Sequence, residues 1–254
     1  MNTLTRLALP AAALGIVGLA SLGLAVPANA ASGTTYQATL NALNHASGSG
    51  SVTITMNGDQ ATVDEHYTGL ATTFNGQPYP HVQHIHIGGQ GQCPTMSADK
   101  NGDGVVSTTE GAPQYGGVQT TLSTKGDTSP AAGTDIKIAP AGGSTDYSRT
   151  IDLSTGAVSA LRNGTAVIVV HGLDPATLSK QAQKEKSDLV PSLPLAATSP
   201  ALCGVLSSMP AGGVATGTGS TAGVEDLGLL LAGGGLLAAG GVLMVSRRRA
   251  AAGI

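Results

Sequence analysis

The chain has 254 residues, with 37 Gly, 13 Pro, one Phe and no Trp, and it is 41% hydrophobic but only 11% charged. That balance excludes a disordered chain, which carries more charge and less apolar mass, and without glycine at every third position it is not collagen. A net charge of −3 with no basic stripe leaves no electrostatic footprint for nucleic acid, which is therefore not expected as a partner.

Residues 1–30 carry one basic side chain, Arg6, then an apolar stretch, then Pro27, Ala28, Asn29 and Ala30. This is the form of a secretory signal peptide cut after Ala30. The alternative, an uncleaved amino-terminal membrane helix, also exports the body of the protein.

Residues 31–209 are expected to form one exported domain, long enough to bury a sizeable core. Its texture is β. Residues 51–56 alternate apolar and polar, Asn57, Gly58 and Asp59 supply a tight turn, and the pattern returns from Ala61, which predicts a hairpin. Further strands are predicted over 81–87, 118–123, 135–139, 146–153, 165–171 and 202–206, with one helical window over 174–188 capped by Asp174 and Pro175. Short strands separated by Gly, Pro and Asn turns predict an all-β antiparallel sandwich or barrel.

Within this domain, His81, His84 and His86 form the densest group of ligand-type side chains. On a strand, His84 and His86 share one face about 7 Å apart at the backbone, close enough for both imidazoles to reach one metal. A hydrogen-bonded pair is the alternative. His171 closes an apolar strand; it reads either as a neutral core histidine or as the third member of a set suited to Cu or Zn. His45 and His66 read as surface residues.

Residues 99–110 match the twelve-residue calcium loop D-x-[DN]-x-[DN]-G-x5-E at every position. The Ca²⁺ ligands would be Asp99, Asn101, Asp103, the Val105 carbonyl, Ser107 and a bidentate Glu110, with Gly104 making the sharp turn. A polar, turn-rich loop is the alternative reading. Pro94 upstream and Gly111 and Pro113 downstream leave no room for two long flanking helices. Asn163, Gly164 and Thr165 fit a glycan acceptor pattern, but a turn accounts for them equally.

Cys93 and Cys203 are the only cysteines. An even count in an exported region favours a disulfide over two free thiols. Residues 210–224 are rich in Gly, Ser, Thr and Ala and read as a flexible tether. Glu225 and Asp226 precede an uncharged run over 227–246, which at 1.5 Å per residue spans a hydrocarbon core of about 30 Å. The three arginines 247–249 then place the 247–254 tail in the cytoplasm. A single-pass cell-membrane protein with its domain outside is expected. Much of the mean hydropathy of +0.15 belongs to the two ends of the chain.

The order Gln83-His84-Ile85-His86, then Cys93, then Ala166 to His171, then Ala201-Leu202-Cys203-Gly204-Val205 resembles the copper/zinc superoxide dismutases and the related chordin-type (CHRD) domains. The resemblance covers residues 36–206. It implies an eight-stranded Greek-key β-sandwich or flattened barrel, a bridge between Cys93 and Cys203, and His84, His86 and His171 as copper ligands; the histidine supply stops at these three, with His81, which precedes the strand or points the other way, the one remaining candidate. The family's bridging histidine corresponds by count to Asp99, the further zinc ligands are missing, and its substrate-guiding arginine corresponds to Pro200. No Zn site is expected. The reading is a membrane-tethered domain that binds Ca²⁺ and Cu without full dismutase activity; the alternatives are a copper-only superoxide dismutase at the cell surface, or an adhesive module with both sites vestigial.

Overall fold

The computed structural model describes residues 33–209. The expected signal peptide at 1–30 begins before this segment, and the tether, membrane helix and basic tail lie outside it. Among the described residues no helix is long and apolar enough to cross a membrane.

Alternation sets the strands. In β2 (Ser49–Asn57) the inward positions are Val52, Ile54 and Met56; in β3 (Gln60–Thr68) they are Ala61, Val63, Glu65 and Tyr67. A period of two puts each set on one face, and the register Ile54 to Val63 keeps both sets together. The turn between them places Gly58 at φ +65°, a conformation glycine adopts without steric cost. On the far side of β3, β8 (Thr145–Asp152) contributes Tyr147 and Ile151 to the same interior.

The other strands are β1 (Thr35–Ala42), a two-residue hairpin β4 (Thr73–Phe74) and β5 (Gln77–Pro78), then β6 (Gln83–Gly88), β7 (Gly116–Thr121), β9 (Val167–His171), β10 (Pro200–Val205) and the short β11 (Ser207–Ser208). Every pairing is antiparallel, in the order β7-β6-β9-β10-β1-β2-β3-β8. β1 joins the halves: Asn41 and Ala42 pair with β10, while residues 35–40 pair with β2. The sheet curls so that Val52, Ile54 and Val63 from one half meet Ile85, Ile168, Val170 and Leu202 from the other in one core. The molecule is thus mostly β, a curled antiparallel half-barrel. Strand pairings, core and disulfide all lie within 33–209, and the compact unit ends at Met209.

Three short helices break the β pattern: α1 (Thr108–Tyr115), α2 (Thr155–Arg162) and α3 (Leu195–Thr198). α2 begins at Ser154, whose hydroxyl accepts the Ala157 N–H, and buries Ala157, Val158, Ala160 and Leu161. Two sequence expectations need correction. Residues 135–139 form turns, with the Lys137 N–H donated to the Asp135 carboxylate and Ile136 56% exposed, so no strand lies there. The window 174–188 is not a continuous helix. Asp174 does cap its start, but the chain makes only 3-10 turns at Pro175–Thr177 and Ala182–Lys184, because Leu178 is extended (φ −85°, ψ 158°) and ends the first turn.

Candidate metal centre

β6 has two buried faces. Gln83, Ile85 and Ile87 point toward the core side, so His84 and His86 point to the opposite side. β9 lies antiparallel beside it, with His84 opposite Val169 and His86 opposite Val167. Opposed residues share a face, and His171, two beyond Val169, shares it as well. The His171 N–H donates to the Val82 carbonyl, which sets it diagonally beside His84. Ring centroids are separated by 5.4 Å for His84 and His86, 5.2 Å for His84 and His171, and 5.8 Å for His86 and His171.

In each ring one nitrogen is within hydrogen-bonding distance of a backbone carbonyl: His84 Nε2 to Gly133 at 2.9 Å, His86 Nδ1 to Gly116 at 3.0 Å and His171 Nδ1 to Thr198 at 2.7 Å. A carbonyl only accepts, so the hydrogen must sit on that nitrogen in every neutral ring. The remaining atoms, His84 Nδ1, His86 Nε2 and His171 Nε2, are buried lone pairs with no partner. One ligand atom from each ring lies within 4.8 Å of the other two. Burial is the first cause holding all three basicities down; the neighbouring imidazoles add to it for His84 and His86. His84 is held well below the ordinary value, His86 at about 3 and His171 at about 4. At pH 7 the cluster is neutral and offers lone pairs, the state a metal ligand needs.

The surroundings hold this arrangement. The Tyr115 ring sits 4.7 Å from that of His86, and its hydroxyl donates to the Thr108 carbonyl, linking α1 to the site. Tyr115, Val167, Val169 and Cys203 form a small apolar cluster on the same side of the sheet. Cys93 and Cys203 are joined across 110 residues, so the loop leading to α1 is tied to β10. Gly116 has φ +91°, and a Cβ there would meet the Ile87 carbonyl oxygen at 2.0 Å, so the carbonyl that orients His86 depends on glycine.

His81 stands apart from the trio. Its Nδ1 lies 2.9 Å from the His171 carbonyl and its Nε2 2.9 Å from that of Ala71, so whichever nitrogen carries the hydrogen donates to a carbonyl. His66 is exposed and pairs with Asp146.

In the 99–110 loop the side-chain oxygens turn toward the loop's own backbone. Asp99 accepts the Gly102 and Gly104 N–H groups, Asn101 that of Asp103, and Asp103 that of Val105. Glu110 accepts the N–H groups of Lys100 and Ser107, and the Ser107 hydroxyl accepts that of Glu110, a reciprocal cap on α1. Burial and the neighbouring Glu185 raise the Asp103 carboxyl. Among the described residues, the three histidines are the one group of three or more ligating side chains whose atoms converge.

Sequence reasoning missed the Gly116, Gly133 and Thr198 carbonyls, because any residue supplies one. It also missed Asp188, which accepts from the Ser107 and Thr109 hydroxyls. The spacing Ser107 to Glu110 carries a capping-box signal that the calcium pattern obscures.

No family model matches the chain, and no curated protein matches it. Among solved structures the chain is similar to a mutant form of superoxide dismutase 5 from Candida albicans, at 16% identity and a TM-score of 0.36, over 73% of this chain and 98% of that one.

Proposed function

We propose that residues 31–209 are an exported copper-binding domain of superoxide dismutase-like fold, its metal held by His84, His86 and His171, and that residues 227–246 anchor it to the cell membrane. The observation that carries this reading is the convergence of three unpartnered imidazole nitrogens whose opposite nitrogens are tied to backbone carbonyls. An apolar site with three oriented nitrogens suits a borderline metal. The disulfide supports an oxidising, extracellular setting. Copper held there would supply one-electron chemistry. The protein's own part is to present neutral lone pairs and to keep their geometry through the three carbonyls.

Full dismutase activity is not part of this reading. Pro200 stands where the resemblance calls for a guiding arginine, and it is buried in β10. A copper-only dismutase is the second reading, favoured by a donor set of three histidines that also line an adjoining pocket. The loop over Asp99, Asn101, Asp103, Val105, Ser107 and Glu110 is proposed as a calcium site on its sequence pattern, with Gly102 and Gly104 at positive φ as that turn requires.

The test uses the 31–209 fragment, which contains its own core. Copper should bind one to one, and His84→Ala with His86→Ala should weaken it by at least a hundredfold while the far-ultraviolet spectrum is kept. Equal copper binding by the variant would refute the assignment. Superoxide removal that disappears in the variant would decide for the dismutase reading. Calcium bound by the 99–110 loop must raise the melting temperature, since a ligand of the native state stabilises it; no shift on adding calcium or chelator would remove that site.

A further inference from the structure

A pocket of about 630 Å³ opens beside the histidine trio, with the 133–137 and 189–194 segments contributing to its wall. The wall is mainly apolar and includes Phe74, Val82, Val118, Ile136, Leu189 and Leu193. Ile136 and Leu189, at 56% and 50% exposed, are two of the three large apolar side chains the described residues leave open to solvent, and both stand in this wall. The unpartnered nitrogens of the trio are buried behind it and do not meet a guest.

The polar side chains of the wall fall into two groups. The hydroxyls of Tyr79, Thr108 and Thr198 are spent inside the fold, on the Ala196 carbonyl, the Thr198 carbonyl and the Ser187 hydroxyl. Gln77, Thr134 and Lys137 are exposed, and their side chains keep their donors for a guest. Among the described residues the one ion pair joins His66 and Asp146, so the Lys137 ammonium is unpaired; neighbouring Asp135 accepts the Lys137 backbone N–H instead. No Asp or Glu lines the pocket, and with the trio neutral at pH 7 Lys137 is the only charge on its wall.

A dry cavity of about 150 Å³ takes a benzene molecule, so this pocket has room for a substituted ring. An apolar lining of this size with a few polar groups is that of a small-molecule site. Because the free donors are the exposed ones, the polar end of a guest stays at the solvent-facing side, where a charge keeps part of its hydration. One ammonium, one amide and one hydroxyl suit a single negative charge with two acceptor oxygens. A cation would be repelled by Lys137, and a dianion would bring a second charge with nothing to answer it.

We infer that this pocket receives a small amphipathic monocarboxylate, its apolar body against Ile136, Leu189 and Leu193 and its carboxylate at Lys137. The inference goes beyond the copper reading and does not rest on it, since Lys137 and the apolar wall are present without metal.

4-tert-Butylbenzoate serves as the probe, titrated at pH 7 into the metal-free 31–209 fragment with methyl resonances of Ile136, Leu189 and Leu193 as reporters. 4-tert-Butylbenzylammonium and 4-tert-butylbenzyl alcohol carry the same apolar body with a positive and a neutral head. Expected are saturable one-site shifts at the three reporters and none at Ile54 and Leu202 in the core. Benzoate should bind about fivefold more tightly than the ammonium, the scale of an exposed ion pair. Lys137→Glu, at an exposed position, should reverse that order and leave the alcohol unchanged, which a merely structural role for Lys137 would not do. Ile136→Asn with Leu189→Asn should weaken all three probes by about tenfold at the Leu193 reporter, with core resonances unchanged to certify the fold. Unsaturable shifts, the ammonium or the alcohol binding as tightly as benzoate, an order unchanged by Lys137→Glu, or an unaffected double variant would each overturn the inference.

Discussion

Burying Glu65 costs the fold stability. It occupies an inward position of β3, 2% exposed, and both carboxyl oxygens lack a partner. Tyr147 is its register partner on β8, Tyr67 is two residues on, and both of their hydroxyls are also unpartnered. Burial raises the Glu65 carboxyl from 4.5 to about 8, so the native state keeps a proton that the unfolded chain releases. Because the native state binds more protons between these values, the Glu65 contribution to stability is fully present below about pH 4.5 and is lost as pH rises toward 8, opposite in sign to that of the buried histidines, whose lowered basicities destabilise the fold in acid. The loss by pH 7 is on the order of 3 kcal/mol. Glu65→Gln, which stays neutral, should remove that contribution, so its urea midpoint relative to the wild type rises steadily from pH 5 to pH 7.5. Parallel urea midpoints for the two proteins from pH 5 to pH 7.5 would contradict the assignment. A glutamate among alternating apolar positions is legible in the sequence as an anomaly, but its lack of partners is a property of the packed interior.

Among the elements, α1 shows how one short sequence can serve two patterns. Ser107 to Glu110 is both the end of a calcium-loop pattern and a capping box, and the fold uses it as the box. Ser107→Ala removes a cap and a contact to Asp188, so it should destabilise the domain by about 1 kcal/mol. A shift in urea midpoint without a change in slope would register it; no shift would mean that Asp188 alone caps the helix through Thr109. Period-two alternation makes β2, β3 and β8 readable, and the predicted 81–87, 165–171 and 202–206 segments overlap β6, β9 and β10. The strand expected over 135–139 fails because its two isoleucines, Ile136 and Ile138, alternate correctly but have no neighbouring strand to bury against. The helix α2 has a local signal too, in Ser154 as cap and apolar residues at 157, 158, 160 and 161, but the β texture around it masks that signal.

At the scale of the whole molecule, a chain with one Phe, which lies outside the core, and no Trp leans on its cross-link. All five tyrosines are buried, which recovers part of the missing aromatic bulk. The bridge spans 110 residues and joins the loop before α1 to β10. In the chain-entropy picture a loop of that length contributes about 4 to 5 kcal/mol. Reducing the disulfide should therefore lower unfolding stability by an amount of that order, read from urea curves with and without a thiol reductant, and coincident curves would show that the core alone suffices. The amino-acid sequence by itself determined the β texture, the two cysteines to be joined and the shared face of His84 and His86, because alternation and composition are local. Only the tertiary structure decided that His171 completes the trio, that carbonyls of Gly116, Gly133 and Thr198 set which nitrogens stay free, and that an apolar pocket adjoins them. Those outcomes depend on register between strands and loops far apart in the chain, where a shift of one residue turns a side chain to the opposite face.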